Sequence, residues 1–141
     1  MTEPLDHELK AYAELVVRLG VNVQLGQRVL IRCYPEQATT ARAMADEAYR
    51  VGASKVTIEY IDQYLKRSEV LYAPDADLGR SLPHELEGVR AWREDRPAII
   101  SLTGNPNPTL MEGMDPGRMA AATPLDFVRE ATQIITTNTV A

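Results

Sequence analysis

From Leu5 through Leu9, Tyr12, Ala13, Val16 and Leu19, apolar positions recur at steps of three and four. That spacing predicts an amphipathic helix with Glu3 and Asp6 at its front and a left-handed stop at Gly20. Arg28-Val29-Leu30-Ile31-Arg32-Cys33 has an unbroken apolar centre, the pattern of a strand covered on both faces. Pro35 and Glu36 suit a helix start, Ala38, Ala41, Met44, Ala45, Ala48 and Tyr49 form its apolar stripe, and Gly52 closes it. Lys55 to Tyr60 then alternates, with Val56, Ile58 and Tyr60 on one face. Strand, helix and strand in this order predict a right-handed parallel crossover.

Beyond Asp62 the punctuation by Pro74, Gly79 and Pro83 predicts several short helices up to Trp92. Ala98 to Leu102 is a second continuous apolar run and reads as a buried central strand, like Val29 to Ile31. Thr103 to Pro108 must be a loop, and Asp115-Pro116 starts a short helix through Ala122. The Ile and Thr content of Gln133 to Thr139 predicts a last strand. Alternating helices and strands without a repeat or a Gly/Ser linker imply one layered α/β domain over residues 1–141, a mainly parallel sheet flanked by helices.

Length and charge narrow the function classes. A chain of 141 residues with 45% hydrophobic residues is long enough to bury an ordinary core. A formal net charge of -5 without a basic cluster gives nucleic acid no electrostatic footprint. No apolar run approaches the roughly 18 residues of a bilayer span, and the first residues are acidic where a signal peptide is basic, so a cytoplasmic protein is expected. The single cysteine, Cys33, has no intramolecular disulfide partner and reads as a packed small hydrophobe.

Chemistry-bearing residues are few. In an open parallel sheet, ligands gather at the carboxyl ends of the strands. Tyr34, Tyr60, Asp62, Thr103, Gly104 and Asn105 all follow or end predicted strands, which makes them the candidate ligand-facing or cleft-wall residues. The loop lacks the glycine spacing of a P-loop or a dinucleotide fold. His84-Glu85-Leu86-Glu87 lacks the second histidine of a zincin helix, because Gly88 stands there. His7 and His84 read as exposed helix residues. The pairs Asp46-Glu47, Asp75-Asp77 and Glu94-Asp95 read as solvated faces, and Trp92 as an interface residue or a cap on the core.

The order of segments carries more than any single residue. Tyr12-Ala13-Glu14-Leu15, Gly20 through Arg32, Ala48-Tyr49-Arg50-Val51-Gly52-Ala53, Glu59-Tyr60-Ile61-Asp62, Ser101-Leu102-Thr103-Gly104 and Asp115 through Ala122 resemble, in order, the opening region of the thermophilic metalloaminopeptidases of the aminopeptidase T and S type. The resemblance covers nearly the whole chain up to Ala122; Thr123-Pro124 interrupts a helix expected to continue in relatives.

The resemblance implies an N-terminal α/β domain ahead of a larger domain, absent here, that carries the ligands of two divalent metal ions of the zinc or cobalt type. It implies removal of N-terminal residues from peptides by metal-activated water. It assigns no catalytic residue and no metal ligand to this chain, which is expected to bind no cofactor and to be inactive alone. The partners implied are the missing C-terminal domain, a second copy in a dimer, and peptide substrate, with neither nucleic acid nor membrane. The alternative is a stand-alone α/β module that holds a small ligand at the carboxyl ends of its strands.

Overall fold

The computed structural model describes residues 4–139. Glu3, expected at the front of the first helix, lies outside the described residues, as does the side chain of Leu5. Helix α1 (Pro4–Glu14) runs into a π-helical segment (Leu15–Gly20). Strand β1 (Arg28–Cys33), a 3-10 turn (Pro35–Gln37), helix α2 (Ala38–Arg50), strand β2 (Lys55–Tyr60) and helix α3 (Gln63–Tyr72) follow. A further 3-10 turn (Asp75–Asp77) precedes helix α4 (Pro83–Asp95), strand β3 (Ala98–Ser101), helix α5 (Pro116–Ala121) and helix α6 (Leu125–Thr139). The described residues form two compact units, 4–61 with 97–106, and 62–96 with 107–139.

The first unit holds a three-stranded parallel sheet in the order β2-β1-β3, flanked by helices, as the alternation predicts for a layered α/β fold. β1 is central. Val29, Ile31 and Cys33 alternate onto its buried face, beside Ala98 and Ile100 of β3 and below Ala41, Met44 and Ala48 of α2. Ala13 and Val17 close the same cluster from the first helix.

Two expectations about the strands need correction. Leu30 and Arg32 on the other face of β1 are only half-buried, so the unbroken apolar run reflects full cover on one face. β3 is an edge strand of the described sheet, paired with β1 alone through four register positions, because a three-stranded sheet has one interior place. β2 occupies the opposite edge, and Tyr60 is 44% exposed there although its alternation puts it on the face of Val56. The hydroxyl of Tyr49 accepts a hydrogen bond from the Val56 amide at 3.0 Å, satisfying a backbone donor on this strand.

The first helix departs from its pattern too. Gly20 ends the π-helical segment, and the left-handed residue is Asn22, with φ 48°. Asn is among the few residues other than glycine that enter this region readily. Gly52 does close α2 with positive φ, as expected. Glu47, read from sequence as part of a solvated face, is 2% exposed, its carboxylate covered by Arg18 and Arg50.

The second unit is helical. Asp115 caps α5 by accepting from the Arg118 amide at 2.7 Å, with Pro116 at the first helical position. The Arg118 guanidinium donates to the carbonyls of Val70 and Ala73, each at 2.6 Å, and meets the Asp75 carboxylate, so one cation satisfies carbonyls at the end of α3. The segment Gln133 to Thr139, expected as a strand, belongs to α6. Its β-branched composition is overridden by packing: Phe127, Ala131 and Ile134 recur at four and three, Ala131 and Ile134 are buried, and Phe127 meets Trp92 of α4 edge-on at 6.3 Å. Arg90 and Arg93 of α4 both pair with Glu130 beside that contact.

Candidate functional site

All strands of the sheet run the same way, so their carboxyl ends form one edge. Cys33 stands opposite Tyr60 in the β1–β2 register, and the Ile61 amide donates to the Cys33 carbonyl at 2.8 Å. On the other side the Leu102 amide donates to the Arg32 carbonyl at 2.9 Å, which carries the ladder up to Thr103. Tyr34, Tyr60 and Thr103, Gly104 and Asn105 therefore share this edge in the first unit, as the strand pattern predicts. Asp62 is placed differently: its carboxylate caps α3 in the second unit, accepting from the Tyr64 and Leu65 amides at 2.9 and 3.1 Å.

Gln37 ties the edge together. Its Oε1 accepts from the Tyr34 amide at 3.0 Å, and its Nε2 donates to the Thr103 carbonyl at 2.9 Å, so one side chain links the loop after β1 to the loop after β3. Local pattern gives little hint of it, since a Gln three positions after Tyr34 has the spacing of a capping box without the usual Ser or Thr at its head. Gly104 follows with φ 98°. A side chain there is strained by that backbone alone, which explains the glycine at the turn. Below the edge, Arg32 Nε donates to Glu59 Oε2 at 2.7 Å across register partners, a half-exposed pair of modest worth.

The side chains that the strand ends place at this edge include the rings of Tyr34 and Tyr60, the Thr103 hydroxyl and the Asn105 amide. Cys33 is fully buried, and that burial pushes its thiol above its ordinary range, away from the thiolate that nucleophilic catalysis requires. His7 and His84 are exposed. Among the described residues no three of His, Cys, Asp and Glu gather as a cation site would require.

A family model described as thermophilic metalloprotease (M29) matches residues 5–139. The chain belongs to the M29 family. It is 36% identical to aminopeptidase T of Thermus thermophilus over 115 residues, which are 81% of this chain and 28% of that protein. With aminopeptidase 2 of Geobacillus stearothermophilus it shares 33% identity over 117 residues, 83% of this chain and again 28% of the relative. The structure of wild-type AmpT from Thermus thermophilus superimposes with a TM-score of 0.82 at 33% identity, covering 94% of this chain and 34% of that one. The chain thus spans 28 to 34% of these M29 relatives. The family's description implies a metal. The donors described in this chain do not fit one, since their carboxylates are scattered over helix faces or, as with Glu47, Asp62 and Asp115, engaged by arginines and backbone amides.

Proposed function

We propose that this chain is the N-terminal, non-metal-binding part of an M29 aminopeptidase, a scaffold that walls the peptide cleft with Tyr34, Tyr60 and the loop Thr103 to Asn105. In this reading the metal ligands, of the zinc or cobalt type, lie in polypeptide beyond the matched stretch, and that polypeptide is the chain's principal partner. A cytoplasmic location and a second copy in a dimer belong to the same reading. The observation that supports it is the match of the M29 family model to residues 5–139 of a chain that spans 28% of aminopeptidase T.

The physical argument is one of barrier height. Hydrolysis of an unactivated amide needs a strengthened nucleophile and stabilisation of the developing oxyanion. Neither exposed histidines nor capped carboxylates supply these. Purified chain incubated with zinc or cobalt and an aminoacyl chromogenic substrate is expected to release product at the rate of the metal-only control. Turnover above that control, lost in a His84→Ala variant, would overturn the scaffold reading.

A further inference from the structure

The spacing of Tyr12, Val16 and Leu19 suits an unbroken α-helix, yet the chain leaves that geometry after Glu14 and takes the wider turn of Leu15–Gly20. Val21 donates to the carbonyl of Val16 at 2.9 Å, five residues back. A π turn of this kind is rare and costs regular helical bonding, so something must hold it. The burial shows what changes. At about 100° per residue, an unbroken helix would leave Arg18 opposite the stripe centred on Ala13 and Val16 and Leu19 at its border. In the wider turn Val17 is fully buried, Leu19 is 75% exposed, and Arg18 swings toward α2.

There Arg18 meets Glu47. Its Nε and Nη2 each lie 2.7 Å from Glu47 Oε1, while Arg50 Nη1 lies 3.5 Å from Oε2. The Glu47 side chain is 3% exposed, and a carboxylate buried to that degree is costly unless it is paired. We propose that Leu15–Gly20 is a two-register element: the Arg18–Glu47 pair latches the π register, and breaking the pair releases the α register that the apolar spacing favours. The change turns Leu19 back toward the core and withdraws its side chain from the surface. It is a conformational device built into the first helix, independent of the scaffold reading.

The test is thiol labelling of Leu19→Cys in the full chain, where buried Cys33 does not compete. With Glu47 and Arg18 intact, the thiol is expected to react at the rate of an exposed cysteine. In both Glu47→Gln and Arg18→Met backgrounds it is expected to react roughly tenfold more slowly, the mark of a position moved into cover. Simple electrostatics predicts opposite signs, since losing the carboxylate favours the thiolate and losing the arginine disfavours it. Slowing in both therefore supports the register change, and an unchanged or faster rate in Glu47→Gln with native circular dichroism overturns it. Should Glu47→Gln fail to fold, scalar coupling across the Val21 amide hydrogen bond in Arg18→Met decides. A move of the acceptor from the Val16 to the Val17 carbonyl supports the proposal, and retention of Val16 refutes it.

Discussion

Replacing Ile31 by Ala is expected to lower the stability of the first unit by about 2–5 kcal/mol. Ile31 is fully buried in the central strand, opposite Ile58 on one side and Ile100 on the other, and below Met44 and Ala48 of α2. Truncation removes three carbons from a site whose walls come from a sheet and a helix, so little collapse can fill the space and a cavity cost adds to the lost transfer energy. Against a total stability of about 5–15 kcal/mol, the loss is large. Urea unfolding followed by far-UV circular dichroism checks it: the midpoint should fall markedly. Leu25→Ala, at a position 87% exposed, should stay within about 0.5 kcal/mol of the parent.

The second large effect is expected from Gly79→Ala in the helical unit. Gly79 has φ 67°, a region that costs an L-residue roughly 1–2 kcal/mol. A Cβ built there would also press on the carbonyl oxygen of Ala121 and lie 2.6 Å from that of Thr123. Both obstacles are backbone at the break between α5 and α6, so neither can rotate aside as a side chain would, and overpacking adds roughly 1–3 kcal/mol. The sum, about 2–5 kcal/mol, separates this glycine from Gly113, whose φ is 75° with open space around its Cβ direction. Gly113→Ala should show the backbone cost alone. The single tryptophan, Trp92, packed on Phe127 in the same unit, reports both by its fluorescence during denaturation.

The sequence was most legible where one local cause sufficed. The Val-Leu-Ile centre of β1, the alternation of β2, Gly52 behind α2 and Asp115-Pro116 ahead of α5 each act within a few residues, and each appears where expected. Legibility failed where a distant residue decided. Ile134 and Ile135 suit a strand by propensity, but the face of α4 that carries Trp92 makes the helical stripe of α6 the better burial. Glu47 looked like a solvated acid because its cover comes from Arg18, 29 positions earlier. The same pairing explains why Leu19, an apolar residue at helical spacing, faces water. At the candidate site the strand ends were readable and Gln37, which spans 66 positions to reach Thr103, was not.

A scaffold role requires that residues 4–139 hold no divalent ion tightly. Equilibrium dialysis of the purified chain against micromolar zinc or cobalt, with metal content measured per chain, tests this most directly. Scattered and capped carboxylates hold a divalent ion weakly and leave it most of its waters. The expected result is retention far below one equivalent, unchanged by His84→Ala; one or two equivalents held tightly, and lost in that variant, would contradict the account.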